Sequence, residues 1–303
     1  MAIQSGTADV YSMSGASGVG RHNREDLMDV ITNISPAETP FLSNIGSSKA
    51  SNVYHEWLTH TLAAAATTTV VEGNVATFAT PTTLTRVVNI CQINEKTISV
   101  SGTQEAVNKA GMKSEMAYRA TLAIKELKRD LEKAMFQNTA YNTGAIGTAR
   151  SLKGVAGLCT AVSSTATVSA ASVNSMLQTL WTNGCDPEVM YVNGAMKSAL
   201  SGLAQNTATS YAWNMEADKK KFATAVDIWA GDFGVQRIVP AHQMGTQSVA
   251  ALELQHFKHA TLRPLKSTEL AKDGDNVKRL INMESTLEAR AGTYSGAYYT
   301  WTG

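Results

Sequence analysis

The sequence predicts an α+β protein built from a long strand-forming stretch, one long helix and a mixed lobe of helices and strands. Three observations predict it. Residues 52–100 are crowded with Thr and Val and alternate with a period of two, as strands do. Residues 104–138 repeat apolar side chains at three- and four-residue spacing, as an amphipathic helix does. From residue 172 onward, short helical and strand patterns alternate, and no segment repeats another.

In chain order, residues 1–24 are rich in Ser, Gly and Ala without apolar periodicity, and read as a loose arm. They lack the basic and apolar regions of a signal peptide. A short helix is predicted over 24–33, where Leu27, Met28, Val30 and Ile31 form one face. Asn23 suits its N-cap, and Glu25 and Asp26 suit its dipole. Pro36 and Pro40 then break the chain before Phe41 and Leu42.

Within 52–100, Val53, His55 and Trp57 alternate with Tyr54, Glu56 and Leu58, and 86–100 reads as a second strand. The segment between them, 63–81, is weakly patterned. This is a two-stranded excursion with few large apolar residues to bury, so it needs a partner surface. The long helix carries Met116, Ala120, Ala123, Ile124, Leu127, Leu131, Ala134 and Met135 on one face. Glu115/Arg119 and Arg129/Glu132 place opposite charges at helical spacing on the other face. With Thr103 as its cap and Gly111 not interrupting it, the helix extends about 50 Å.

Residues 141–157 are Gly-rich and loop-like. Beyond them come a helix over 172–181, a buried strand over 188–192 and a helix over 194–203. Strands over 226–229 and 235–239 are joined by the turn Gly231-Asp232-Phe233-Gly234. A strand over 249–254 and paired strands over 277–283 and 286–290 follow. The uncharged aromatic end, 294–303, either closes the core or docks on another chain.

Composition narrows the function. Charged residues make up 17% of the chain, below the roughly 25% of an average soluble domain. Such a surface suits burial against neighbours. The net charge of +1 and the absence of a basic stripe argue against a dedicated nucleic-acid binder. Cys91, Cys159 and Cys185 are too scattered for a disulfide framework or a zinc site and read as reduced, buried thiols. No run of 18 apolar residues predicts a membrane span.

No Gly-x-Ser-x-Gly elbow, phosphate loop or dinucleotide fingerprint is present. "GASGVG" (15–20) follows no strand, and "DKKK" (218–221) reads as a solvated loop. His256 and His259 are three apart but lack the Glu of a zincin and a third ligand. His55 and His60, five apart in extended chain, face opposite sides. The sequence therefore assigns no catalytic, cofactor-binding or metal residue. Trp57 reads as an anchor, either for local packing or against a neighbouring subunit.

The order of arm, short helix, β excursion, long helix, mixed lobe and returning strands resembles the Hong Kong 97-type capsid fold. "REDLMDVITNISPAETPFLSNIG" (24–46) is similar to the start of a family of tailed-bacteriophage major capsid proteins, with its P-x-x-TPF segment. Glu56-Trp57 followed by Glu72-Gly73 resembles that family's loop. "NICQINEKTISVSGTQEAV" (89–107), leading into "EMAYRATLAIKELKRDLEKA" (115–134), resembles its strand and spine helix. "LAKDGDNVKRLINMESTLEARAGTYSG" (270–296) resembles its C-terminal strands.

The resemblance implies an N-terminal arm and short helix (1–48), an extended β-hairpin loop (49–100) and a peripheral domain with the spine helix (101–171). An axial domain (172–255) and the return strands of the peripheral domain (256–303) complete it. It implies a non-enzymatic subunit that forms hexamers and pentamers of an icosahedral shell around double-stranded DNA. Assembly in the bacterial host cytoplasm would use a separate scaffold protein, or a processed precursor, and a portal, and a decoration protein is compatible with the shell. No membrane or cofactor is involved. Candidate intersubunit contacts are Trp57, Glu56, Glu72, Arg119 and Arg129; candidate DNA-facing charges are Arg21, Arg24, Lys125 and Lys128. Alternatives are an encapsulin-like compartment subunit, another phage structural protein, or an α/β enzyme using His256 or His242.

Overall fold

The computed structural model describes residues 38–76, 78, 80–164, 168–205 and 227–301. The expected helix over 24–33, Arg21, Arg24, "GASGVG" and "DKKK" lie outside these residues.

The chain begins with α1 (Pro40–Asn44) and β1 (Gly46–Lys49). Pro40 takes the first helical turn, where its missing N–H costs nothing. Next come β2 (Tyr54–Thr59) and β3 (Thr85–Ile90), which pair only with each other as an antiparallel hairpin. Only Cys91 separates β3 from β4 (Gln92–Ser101), which belongs to a different sheet. The single strand expected over 86–100 is thus two strands with two destinations.

The long helix is also divided. α2 (Gly102–Ala106) is one short turn, capped by the Ser101 hydroxyl. Gly111 then takes φ +76°, a left-handed conformation that an α-helix cannot contain, so the chain turns there. The spine helix α3 (Glu115–Gln137) starts after the turn, with Ser114 as its cap in place of the expected Thr103. Its 23 residues span about 34 Å, shorter than the undivided helix.

After α4 (Val155–Leu158) and β5 (Thr160–Ser164), α5 (Ala170–Thr182), β6 (Val189–Val192) and α6 (Gly194–Gln205) follow close to their expected positions. β7 (Ile228–Gly231), β8 (Gly234–Pro240) and β9 (Ser248–Leu252) complete that lobe. A 3-10 turn leads to β10 (Phe257–Leu270) and β11 (Asn276–Ala289), two 14-residue strands paired antiparallel. The two short strands expected over 277–290 are therefore one continuous strand, whose main partner, β10, had no strand-like pattern. β12 (Gly296–Trp301) ends the described chain.

Two larger sheets result. One has the order β1-β10-β11-β4 and the other β5-β12-β9-β6-β8-β7. The C-terminal aromatic segment closes the second sheet between β5 and β9. Residues 257–301 thus contribute strands to both sheets.

Side-chain alternation on the six-stranded sheet separates two cores. Tyr191, Ala250, Leu252 and Tyr298 face the spine helix and the four-stranded sheet. Met190, Val192, Val249, Ala251 and Trp301 face α5 and α6. Phe41 plugs the first core. Its ring lies 4.9 Å from Phe136 of the spine helix, 5.5 Å from Tyr191 of β6 and 5.9 Å from Phe257 of β10.

Candidate intersubunit surface

The hairpin has one face turned to its own subunit. Along β2, His55, Trp57 and Thr59 are half-buried while Tyr54, Glu56 and Leu58 are exposed. Trp57 packs against the first core, its ring 5.8 Å from that of His55, and its indole N–H is buried without a hydrogen-bond partner. On the outer face Glu56 meets Arg86 of β3 at 3.3 Å. Beyond Thr59 and Thr85 the ladder ends, and the described residues of 60–84 form a limb outside any sheet.

Two polar contacts shape the limb. The His60 ring lies 2.8 Å from the Thr82 hydroxyl, and the Asn74 N–H donates to the Val71 carbonyl at 3.1 Å. Glu72 and Gly73 occupy the centre of that turn, and Gly73 at φ +81° satisfies a conformation that penalises other residues. Leu62, Val70, Val71, Val75, Phe78 and Leu84 are all exposed, Leu62 to 89% and Phe78 to 98%. So many large apolar side chains exposed on one limb are unusual for the surface of a soluble monomer.

At its root the hairpin is fixed by polar side chains. Asn89 on β3 is fully buried. Its amide donates to the Lys153 carbonyl at 2.8 Å and to the Leu287 carbonyl at 2.7 Å, and its oxygen accepts the Lys153 N–H at 2.7 Å. On β2, the His55 ring lies 3.1 Å from the Glu288 carboxylate of β11. That carboxylate also accepts from Ser48 of β1 at 2.8 Å and from Arg290 at 2.6 Å. Burial works against its charge, yet Arg290, Ser48 and His55 together hold it below the usual carboxylate range. Sequence patterning cannot find these residues, because, Arg290 and Ile90 apart, their partners lie 64 to 240 positions away.

On the spine helix, Arg119 is exposed and its Nε donates to Glu115 at 2.6 Å. Lys125 and Lys128 are exposed, Arg129 is half-buried, and Glu126 and Asp130 beside them hold Lys96 of β4. Glu132 departs from expectation. It faces the core, not the surface, at 0% exposure, and accepts the Leu42 N–H of α1 at 3.3 Å. Burial pushes its carboxyl up to about 7, against the opposing pull of the Leu42 and Phe41 N–H groups.

The remaining candidates stay apart. His256 ends the 3-10 turn beside Glu253 at 3.3 Å, whereas His259 lies on β10 with its titration lowered by burial. Among the described residues no three His, Cys, Asp or Glu converge as a metal site. The three cysteines are free and buried, with burial pushing Cys91 up to about 11 and Cys185 up to about 12. No described helix is long and apolar enough to cross a membrane.

The profile of the SU10 major capsid protein family matches residues 9–300. The chain belongs to this family. The major capsid protein of Escherichia phage Phieco32 is 26% identical, over 90% of this chain and 93% of its own. Among solved structures, the capsid of a native GTA particle superposes with a TM-score of 0.69 at 11% identity, covering 95% of this chain and 98% of that one. The Cyanophage A-1(L) capsid superposes with a TM-score of 0.69 at 10% identity, covering 93% and 98%. The fold is the Hong Kong 97-type capsid fold, and the chain is a phage major capsid protein, a component of the virion shell.

Proposed function

We propose that copies of this chain form the hexamers and pentamers of an icosahedral shell around packaged double-stranded DNA, each copy laying its extended hairpin across the next. The observation that carries the reading is the limb over residues 60–84, whose large apolar side chains are left exposed among the described residues. A neighbouring copy supplies the missing partner, and many repeated weak contacts add up through multivalency. Tyr54, Glu56 and Leu58 on the outer face of β2, and Glu72 in the limb, are exposed as well. Trp57 contributes from beneath, by holding the hairpin to its own core. Arg119 and Arg129 lie on the spine helix, over which a neighbour's limb would run.

The role is structural, with no catalytic step. Assembly draws on a scaffold protein and a portal in the host cytoplasm. The related capsid of phage G was solved with decoration proteins, and such a protein on this shell is part of the same proposal. Lys125 and Lys128 are the described candidates for charge toward DNA, although Glu126 and Asp130 beside them offset their field.

The test is Phe78→Asp, viewed by electron microscopy after expression with the neighbouring gene products. A fully exposed side chain contributes little to its own fold, so subunit stability should change by less than about 0.5 kcal/mol, while closed shells should disappear. Normal shells from this variant overturn the reading. Wild-type shells filled with protein and lacking DNA favour the compartment alternative.

A further inference from the structure

The hairpin has no backbone ladder to either large sheet, because β2 and β3 pair only with each other. What fixes its direction is therefore largely a matter of side chains. Two of them, one on each strand, reach adjacent residues of β11. Asn89 on β3 binds the Leu287 carbonyl, and His55 on β2 binds the Glu288 carboxylate.

We propose that Asn89 and Glu288 are positioning residues that set the angle at which the hairpin leaves the subunit, so that its limb meets the next copy in one orientation. This rests on the reading of the limb as an intersubunit contact.

Asn89 uses its whole hydrogen-bonding capacity, two donors and two acceptor sites. It donates to Lys153 and Leu287 and accepts from the N–H groups of Lys153 (2.7 Å) and Ile90 (2.9 Å). A buried, saturated amide tolerates no small rotation, since any tilt leaves a buried polar group unpaired. Glu288 ties a third element to the same point, because Ser48 brings β1 onto the oxygen that faces His55. β1, both hairpin strands and β11 thus meet at one pivot. The leverage is large: 13 residues separate Thr59 from Glu72, a reach of up to about 40 Å. A tilt of about 10° at the root would move the tip by about 7 Å, enough to lose a side-chain contact.

The test uses the full chain carrying Asn89→Asp or Glu288→Gln. Asn89→Asp keeps the shape and the acceptors but removes both donors; Glu288→Gln is the milder change should the first not fold. Hydrogen exchange of 54–59 and 85–90 in the unassembled subunit should quicken at least tenfold. Closed shells of uniform size should fall at least tenfold, giving way to open or irregular assemblies. A variant that loosens these strands yet builds uniform shells at the wild-type yield overturns the proposal, as does a failure of either folded variant to loosen them. A third chain, with residues 62–82 replaced by a short Gly-Ser turn, separates the two ideas. If it too assembles normally, the limb is not an intersubunit contact. If it alone fails to assemble, the limb matters and the pivot does not.

Discussion

At the scale of single residues, Glu132 shows how tertiary structure reassigns a side chain. Its spacing from Arg129 suggests a surface pair, yet it faces the junction between the spine helix, α1 and β6. One carboxylate oxygen accepts the Leu42 N–H and the other is buried without a partner. Burial raises its titration from 4.5 to about 7. Tyr191 of β6 is the titratable group facing it across the junction, and its own titration is pushed up to about 12, by burial first and by the Glu132 charge as well. Below about pH 4.5 the carboxyl is neutral in both folded and unfolded chains, and its contribution to stability is fully present. As pH rises the unfolded chain releases its proton first, and stability falls until pH passes about 7. The whole span is worth about 3 kcal/mol. Glu132→Gln should therefore match the wild type near pH 4.5 and exceed it by up to that amount at pH 8. Urea unfolding of the unassembled subunit across this range measures the difference, and equal slopes for the two proteins would refute the assignment.

At the scale of elements, the start of the spine helix can be tested directly. The Ser114 hydroxyl accepts the Ala117 N–H at 3.2 Å, and the Glu105 carboxylate of α2 accepts the N–H groups of Glu115 and Met116. The Ser114 hydroxyl, followed by burial's opposing effect and these N–H groups, leaves the Glu105 carboxyl below its usual range. Ser114→Ala should cost about 1 kcal/mol, a fall of about 2 °C in the melting temperature by calorimetry. An unchanged melting temperature would mean that Glu105 alone caps the helix. The apolar face of this helix was legible in sequence because Met116, Leu127, Leu131 and Met135 keep a 3.6-residue period. The break at Gly111 was not, since a glycine in a helical run is compatible with either outcome until its φ is known. β10 was hidden for a different reason. Pro264 cannot donate to a ladder, and the register shifts on both sides of Arg263 carry the chain past it. β11 looked like two strands because Glu284 sits in its middle. That carboxylate is buried, with Arg150 and Arg263 donating to it at 2.6 and 2.7 Å.

At the scale of the whole molecule, the arrangement of arm, excursion, spine and mixed lobe was readable because each part has its own local grammar. The root of the hairpin was not, because Asn89 meets Lys153 and Leu287 only through the fold. The most consequential feature is an imbalance between two parts of one chain. The body buries two large apolar clusters, whereas the described residues of 60–84 expose large apolar side chains and leave their backbone outside any ladder. Backbone of that kind is open to proteases in the free subunit, since little structure must unfold before cleavage. Chymotrypsin added to unassembled subunits should cut first near Leu62, Phe78 or Leu84, leaving the two flanking fragments associated through the cores. If neighbouring copies cover the limb, the same cuts in closed shells should slow at least tenfold, while cleavage at exposed sites elsewhere keeps its rate. Fragment masses over a time course would show it, and equal rates at the limb in both states would mean that assembly leaves it bare.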